Sequence, residues 1–327
     1  MNNNLLDSIK AAQIHKKISK NIINDIRPGL SLKKIVEIIE TNIIKETKIN
    51  NINEINNGIA FPIGVSVNNC AAHFTPNYHD VDIILKENDI IKIDYGVHKN
   101  GIIIDSAFTL HFDEKFDEFI NISKDLTNFA VKKCGPDAIL GEIGCEIEEY
   151  IKNTEIFIEN KLYKLKTMED LSGHLIKPFE IHAGKAVPNI KIDYPLRMKE
   201  DEFYAIEPFI TTGLGKSILK EPNSHYMLIK NHEKKIESNN YNQSKFYKLY
   251  KSIFKNYNNL PFCSRWLYES NLIDSDSYFL LEELVQNNIL NSFPPIYDIE
   301  GSLISQFEHT IFIKHNGVIN LTKNDFY

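Results

Sequence analysis

Two isoleucine-rich segments on either side of Asn100-Gly101 constrain the fold of this 327-residue chain more than any other feature. The first reads Ile90-Ile-Lys-Ile-Asp-Tyr-Gly, and the second reads Gly101-Ile-Ile-Ile-Asp-Ser-Ala-Phe-Thr-Leu. β-Branched residues favour strands, and an Asn-Gly pair between two such runs favours a tight hairpin turn. The sequence therefore predicts an antiparallel hairpin with arms embedded in apolar sequence.

Each arm of this hairpin carries one aspartate, Asp94 on the first and Asp105 on the second. A two-residue turn centred on Lys99–Asn100 or on Asn100–Gly101 puts both on one face. Moving the turn by one residue shifts each strand position's partner by two residues, and residues two apart on a strand lie on the same face. Two close carboxylates among isoleucines resist ionisation unless a cation lies between them. A single such aspartate more often faces solvent at a strand end, but the pair on one face favours a cation site.

Three later segments repeat the pattern of one ligand-type residue within an apolar strand. They are His174 in Ser-Gly-His-Leu-Ile, Glu207 in Phe-Tyr-Ala-Ile-Glu-Pro-Phe, and Glu308 in Gln-Phe-Glu-His-Thr-Ile-Phe-Ile. A lone buried histidine is more often a hydrogen-bonded core residue, and a strand glutamate is more often an edge residue. None of the three identifies a site by itself.

The remaining periodicity predicts an α+β domain with a helical insertion. Apolar spacing indicates helices over 4–27, from Leu32 behind an N-cap at Ser31, and over about 115–134 and 141–153. Strand-like segments recur at 179–187, 203–210 and 303–314, and the stretch 242–291 is mostly helical in pattern.

Charge and composition exclude several functional classes. The net charge of −7 and the pI of about 5.9 give no electrostatic reason to expect nucleic-acid binding. No uncharged apolar run is long enough for a membrane span, and the N-terminus lacks the pattern of a signal peptide. The four cysteines form no Cys-x-x-Cys pair, so reduced thiols in a cytoplasmic protein are expected.

The order Asp-x10-Asp, His, Glu, Glu in these contexts resembles the five-ligand dimetal site of the methionine aminopeptidase/prolidase family. Motifs typical of its type 2 members are Ala60-Phe-Pro-Ile-Gly, Asn68-Asn-Cys-Ala-Ala-His-Phe-Thr-Pro-Asn, Lys92-Ile-Asp-Tyr-Gly, Ile181-His-Ala-Gly-Lys, Ser224-His-Tyr-Met and Gln306-Phe-Glu-His-Thr. The resemblance runs from about residue 5 to the last residue. It implies a pita-bread fold with pseudo-twofold antiparallel sheets, a single catalytic domain over 1–327 and a helical subdomain near 228–292.

The resemblance also implies a reaction and a set of metal ligands. Asp94 would bind one divalent ion, Asp105 and Glu308 would bridge two ions, and His174 and Glu207 would complete the second. Co, Mn, Fe or Zn would suit these ligands. A metal-activated hydroxide would then attack the first peptide bond of a new protein that carries methionine before a small residue, with Glu207 as the proton shuttle.

Further residues match family positions around the scissile peptide and the methionine side chain. His73 and His182 would hold the peptide as charge develops, although His73 seen alone would be an ordinary loop histidine. Phe61, Ile181 and His225 would line an apolar pocket, and Phe61 and Ile181 are nearly as consistent with plain core. Phe293 lies at a rim position of this pocket.

Several positions depart from the pattern of the family. Lys177-Pro178 replaces small residues and could reshape access to the site, Ser172 stands where Asn is frequent, and Phe293 stands where Tyr is frequent. Tyr297 occupies the position of a cysteine in some relatives, so Cys70 is expected to have no disulfide partner there. None of these departures touches a proposed ligand.

Two rival functions remain open from the sequence. A catalytically inactive relative of the same fold could bind protein or RNA, but the retained ligand set argues against it. A hydrolase of X-Pro peptides would use the same ligands, but the segment around His73 and the helical insertion favour methionine release. We expect a cytoplasmic monomer acting on nascent N-termini, with the ribosome as a candidate partner and no nucleic-acid or membrane partner.

Overall fold

The computed structural model describes residues 3–48, 55–238 and 245–325. Its helices are α1 (Asn3–Ile22), α2 (Leu32–Thr47), α3 (Asp117–Lys133), α4 (Leu140–Ile151), α5 (His232–Ser238), α6 (Lys245–Tyr257), α7 (Ser264–Glu269) and α8 (Phe279–Gln286). Its strands are β1 (Asn57–Ile59), β2 (Gly64–Val67), β3 (Cys70–Ala72), β4 (Ile90–Lys99), β5 (Ile102–His111), β6 (Glu155–Ile158), β7 (Lys161–Lys164), β8 (Lys166–Thr167), β9 (Ser172–Ile176), β10 (Ala186–Pro188), β11 (Phe203–Ile206), β12 (Phe209–Thr211), β13 (Ile218–Leu219), β14 (His225–Leu228), β15 (Phe262–Cys263), β16 (Leu290–Phe293), β17 (Ile296–Tyr297), β18 (Ile304–Gln306), β19 (His309–Lys314) and β20 (Gly317–Asn320). No helix among the described residues is both long and apolar enough to cross a membrane.

Strands β4 and β5 form the predicted hairpin around Asn100-Gly101. Lys99 pairs with Ile102, and the two turn residues have φ values of 50° and 79°, as a tight turn between twisted strands requires. Asp94 lies opposite Ala107, two positions from Asp105 on the same strand. The two aspartates are therefore diagonal neighbours on one face, as the parity argument predicted.

The N-terminal helices cover the sheet that contains this hairpin. Strand β4 pairs with β5 on one edge and with β1 and β2 on the other. His15 stacks on Tyr95 with ring centroids 4.0 Å apart, and Ser19 is 2.6 Å from the Tyr95 hydroxyl, so buried polar contacts join α1 to β4. Helix α1 ends at Ile22 rather than at residue 27, while Ser31 caps α2 as predicted by accepting the Lys34 N–H.

Two predicted strands are each divided in the structure, and both divisions fall at a predicted ligand. The segment 203–210 forms β11 and β12 with a break at Glu207-Pro208, and 303–314 forms β18 and β19 with a break at Phe307-Glu308. Strands β11 and β19 pair within the sheet β10-β9-β11-β19-β20, whereas β12 and β18 pair within the sheet β18-β12-β8. Both chain segments therefore cross between the same two sheets at a glutamate.

The predicted strand over 179–187 was largely wrong. Only Ala186–Pro188 forms a strand, and the residues before it make a tight turn in which Lys177 and Glu180 exchange backbone hydrogen bonds of 2.9 Å. Pro178 and the positive φ of Phe179, 57°, suit the two central positions of such a turn and interrupt a strand. The apolar residues of this segment therefore serve a turn instead of a strand.

The stretch 242–291 contains α6, α7 and α8, in agreement with its helical pattern, and residues 242–244 lie outside the described residues. A small sheet, β15-β14-β16, accompanies these helices. The Arg265 guanidinium contacts the Glu40 carboxylate of α2 at 2.6 Å, and the Trp266 indole N–H donates to the same carboxylate at 2.7 Å. This buried ion pair attaches α7 to the N-terminal helices. The division of the chain into a catalytic domain and a helical subdomain stays a prediction.

The turn at Phe179 packs on the tip of the hairpin. The Phe179 N–H donates to the Gly101 carbonyl at 2.8 Å, and a Cβ added at Gly101 would lie 2.2 Å from the Phe179 ring. Gly101 is therefore required for two reasons, its φ of 79° and the close approach of the ring.

We predict that Gly101→Ala lowers the free energy of unfolding by more than the ~1–2 kcal/mol expected for left-handed backbone strain alone. Gly29→Ala, with a φ of 92° and nothing within 4 Å, isolates the strain, and Gly135→Ala, with no positive φ and nothing within 4 Å, serves as the neutral control. Denaturant unfolding compares the three variants. Equal losses for Gly101→Ala and Gly29→Ala would contradict a packing role for Phe179.

Candidate metal centre and its cavity

The five residues predicted as metal ligands meet in one place. Ligand atoms of Asp105, His174 and Glu308 all lie within 4.8 Å of one another. His174 Nε2 is 3.5 Å from Asp105 Oδ2 and 3.3 Å from Glu207 Oε1. Asp94 lies beside Asp105 on the hairpin face, and all five side chains line one cavity.

Backbone hydrogen bonds fix the strands that carry these ligands. The Asp105 N–H donates to the Thr310 hydroxyl oxygen at 2.8 Å, and that hydroxyl donates to the Asp105 carbonyl at 2.6 Å. The Ser106 hydroxyl donates to the Glu308 carbonyl at 2.6 Å, and the Glu308 N–H donates to the Ala107 carbonyl at 2.9 Å. These bonds join β5 to the break between β18 and β19, so the carboxylates of Asp105 and Glu308 are presented from a rigid frame.

Buried carboxylate oxygens in the cluster have no hydrogen-bond donor among the described residues. Asp94 Oδ1, Asp105 Oδ1 and both Oε atoms of Glu308 are of this kind. A buried, unpaired carboxylate is costly unless it is protonated or bound to a cation. Four carboxylates and one imidazole form a donor set that divalent transition-metal ions accept, so the residues present fit such ions.

The pKa values respond to this crowding. Burial, followed by the carboxylates of Asp105 and Glu207, raises the pKa of Asp94 well above its usual range, and burial with the neighbouring carboxylates does the same for Glu308. Burial also raises the pKa of Glu207. For His174, burial lowers the pKa, but hydrogen bonds to Asp105 and Glu207 outweigh this effect and raise it to about 10. Positive charge is therefore strongly favoured at the centre of the cluster.

The cavity above the cluster has a volume of about 260 Å³ and is lined by every side chain that was predicted to contact substrate. These side chains are Phe61, His73, Ile181, His182, His225 and Phe293. Phe61 lies against Gly96, where a Cβ would come within 2.3 Å of the ring, so this wall has a fixed position. Ser172 also lines the cavity, whereas Lys177 and Pro178 do not line it.

Three imidazoles other than that of His174 face this space. His182 lies 4.5 Å from His174 between ring centroids, and His73 lies 5.6 Å from Phe293 and 5.9 Å from His225. Burial lowers the pKa of His73 to about 4 and that of His225 to about 3. Both rings are therefore neutral near pH 7 and can donate or accept one hydrogen bond per nitrogen.

Sequence reasoning missed other residues of the cavity. Met227 lines it two positions after His225 on β14, and strand parity would have placed both on one face. Pro261 and Ile296 also line it, and nothing in their local sequence indicates this. Gln306, quoted only as part of a motif, donates to Glu207 Oε2 at 3.2 Å.

Cys70 is a free thiol, as the presence of Tyr297 predicted.

Comparison with known proteins agrees with this geometry. The sequence model of metallopeptidase family M24 matches residues 8–232. A methionine aminopeptidase 2 of Encephalitozoon hellem is 37% identical over 323 residues, which cover 99% of this chain and 88% of that protein. The chain belongs to metallopeptidase family M24. Its match to this relative extends across the whole described cavity, from Phe61 to Glu308.

Solved structures share the fold. The M24 protein aligns with a thermophilic Arx1 at a TM-score of 0.81 and 16% identity, with 100% of this chain and 92% of that chain covered. It aligns with a methionine aminopeptidase of Thermotoga maritima at a TM-score of 0.65 and 18% identity, with 99% and 98% covered. The chain thus has the α+β pita-bread fold that its motifs implied.

We predict that Glu308→Gln stabilises the metal-free protein by about 1–3 kcal/mol, because it removes an unpaired buried carboxylate. The pKa of Glu308 is raised above its ordinary 4.5, so the contribution of this group to stability is present at low pH and lost as the pH rises. The increase in the free energy of unfolding caused by Glu308→Gln should therefore be larger at pH 8 than at pH 5. Denaturant unfolding in the presence of a chelator measures it.

The matched control is Asp298→Asn. This carboxylate is 1% exposed and accepts hydrogen bonds from the Thr211 hydroxyl and the Leu214 and Gly215 N–H groups. Its replacement should destabilise the protein, because an amide cannot accept from all these donors. Destabilisation of the metal-free protein by both variants would show that Glu308 is satisfied without a cation.

Proposed function

We propose that this chain is a methionine aminopeptidase of the type 2 class, which removes the initiator methionine from new proteins with a small second residue. The observation that carries this proposal is that the carboxylate-histidine cluster lines the same cavity, of about 260 Å³, as the apolar side chains of Phe61, Ile181 and Phe293. A hydrolytic centre that shares a small cavity with apolar side chains suits the release of an N-terminal residue with an apolar side chain. The methionine aminopeptidase 2 name of the relatives supports the same assignment.

We assign two divalent metal ions to the cluster. Asp94, Asp105, His174, Glu207 and Glu308 would hold them. Such ions supply a strongly polarised water and positive charge opposite the reacting carbonyl. The ligand types suit Co, Mn, Fe or Zn equally well, so the native ion is left open.

Glu207 is proposed to move the proton during peptide hydrolysis. Its Oε1 lies 3.3 Å from His174 Nε2, and its Oε2 accepts from Gln306, so its orientation is fixed at both oxygens. A carboxylate held in this way next to a polarised water is placed to accept a proton and to return it.

His73 and His182 are proposed to contact the scissile peptide. Their rings line the cavity and both lie near Phe293, at centroid distances of 5.6 and 6.2 Å from its ring. A neutral imidazole can donate a hydrogen bond to a carbonyl oxygen that gains charge in the transition state. Phe293 adds only an apolar surface beside them, because it lacks a hydroxyl.

The methionine side chain is proposed to lie against Phe61, Ile181 and His225. A thioether makes favourable contacts with aromatic rings, and the unbranched side chain adapts to an irregular pocket. We further propose that the protein acts as a monomer on nascent chains in the cytoplasm, where new proteins carry their initiator methionine. Contact with the ribosome is a further part of this proposal.

The rival functions are separated by their substrates. An X-Pro peptidase must accept a proline ring immediately after the scissile bond, and a binding module turns over no peptide. We expect methionine release from Met-Gly and Met-Ala peptides, no release from X-Pro peptides, and full dependence on added Mn or Co after chelator treatment. Methionine release in excess chelator, or preferential cleavage of X-Pro peptides, would contradict the proposal.

We predict that Asp105→Asn and Glu308→Gln each reduce methionine release to background in the presence of added metal. The control is Glu149→Gln, an exposed carboxylate on α4 that pairs with Lys152 at 2.7 Å and does not line the cavity. It should retain full activity. Circular dichroism confirms that each variant is folded, so loss of activity can be attributed to the ligand.

We predict that His182→Ala lowers kcat by about 10²–10³, the effect typical of removing one hydrogen-bond donor to a developing oxyanion. His315→Ala removes an exposed histidine that pairs with Glu200, and it should leave kcat unchanged. Steady-state kinetics with a Met-Ala peptide measures both. A rise in KM alone for His182→Ala would instead assign this residue to ground-state binding.

A further inference from the structure

One wall of the cavity continues onto the outer surface. In the sheet β13-β17-β3, Ala72 pairs with Ile296, and Ile296 pairs with Leu219. Directly paired residues project from the same face of a sheet. Ala72 and Ile296 line the cavity and are each 8% exposed, whereas Leu219 is 62% exposed. These three side chains form an apolar row that leads from the cavity wall to solvent.

Strand β13 is also attached to a second residue that lines the cavity. The Ser217 N–H, immediately before β13, donates to Asp170 Oδ2 at 3.0 Å, and Asp170 lines the cavity. The Lys220 N–H, immediately after β13, donates to the Pro295 carbonyl at 3.1 Å. The short strand that carries Leu219 is therefore held at both of its ends, and one of these contacts is to a residue that lines the cavity.

The loop before β13 is held in place by a buried carboxylate. Asp298, 1% exposed, accepts hydrogen bonds from the Leu214 N–H at 3.1 Å and the Gly215 N–H at 3.0 Å. A segment fixed in this way loses little conformational entropy when a ligand packs against it. Leu219 is therefore an exposed apolar side chain on a preorganised surface next to the site.

We propose that Leu219 forms a subsite for an apolar side chain at the third or fourth residue of the peptide substrate. The proposal rests on the peptidase function given above. Adjacent strands lie about 4.8 Å apart and an extended peptide rises about 3.3 Å per residue, so one strand spacing beyond Ile296 is reached within one or two residues. The occupant is the substrate chain itself, because the row of side chains is continuous with the cavity.

An apolar subsite gives a measurable preference. Covering the exposed part of a leucine with an apolar partner corresponds to a factor of about ten in kcat/KM. A polar side chain at the same peptide position would leave Leu219 in contact with water and gain nothing. The subsite therefore selects peptide substrates by a side chain that lies beyond the residues bound at the metal cluster and in the methionine pocket.

The test uses the full chain loaded with Mn or Co and two peptide series, Met-Gly-Xaa-Gly-Gly and Met-Gly-Gly-Xaa-Gly, in which Xaa is Leu or Ser. We expect kcat/KM to be about tenfold higher for Leu than for Ser in at least one series. Leu219→Ser and Leu219→Asp should reduce this ratio to near one. Hydrolysis of Met-Gly-Gly, which offers no side chain to the subsite, should be unchanged in both variants.

Leu162→Ser is the matched control, because Leu162 is 49% exposed on the β6-β7 hairpin and does not line the cavity. It should keep the preference of the unaltered chain. A Leu-to-Ser ratio near one in both series, or a ratio that survives in Leu219→Ser, would overturn the subsite while leaving the peptidase function intact. Absence of methionine release from every peptide, Met-Gly-Gly included, would refute the function and the subsite with it.

Discussion

Mutual repulsion among four crowded carboxylates, two of them buried and two partly buried, is the constraint on which the rest of the structure depends. Asp94, Asp105, Glu207 and Glu308 are drawn together among isoleucine-rich strands, with the imidazole of His174 between two of them. Such a cluster weakens the fold unless cations are bound, so its retention indicates a role in chemistry rather than in stability. The frame around it is correspondingly rigid: the hairpin, the crossing segments and Thr310 are tied together by short hydrogen bonds.

Two interruptions of regular structure place the glutamates. Glu207 and Glu308 each lie where a strand leaves one sheet and enters another, and in both cases the partner segment crosses at the same level. A continuous strand would turn alternate residues away from the site. The breaks allow a carboxylate to enter the cluster from each of two neighbouring strands, next to the imidazole supplied by β9. The geometry of the carboxylate cluster in this M24 protein thus depends on irregular backbone held between regular sheets.

The sequence predicted the parts of this arrangement that depend on local periodicity. Parity alone placed Asp94 and Asp105 on one face, and Ser31 was identified as a helix cap from its position. The breaks at Glu207 and Glu308 and the turn at Pro178-Phe179 were not predicted, because apolar runs there suggest continuous strands and the crossing between sheets is a tertiary effect. His174, Glu207 and Glu308 became convincing only through the family resemblance. Ile296 at the cavity wall and Leu219 beside it could be placed only with the fold, because strand pairing over long sequence separations brings them next to Ala72.

The most direct test of the metal assignment is a crystal structure of the protein grown with Mn or Co, with anomalous scattering recorded at the absorption edge of that metal. We expect two anomalous peaks within the cluster formed by Asp94, Asp105, His174, Glu207 and Glu308. Peaks at other positions only, or none at the cluster at a metal concentration that restores methionine release, would contradict it.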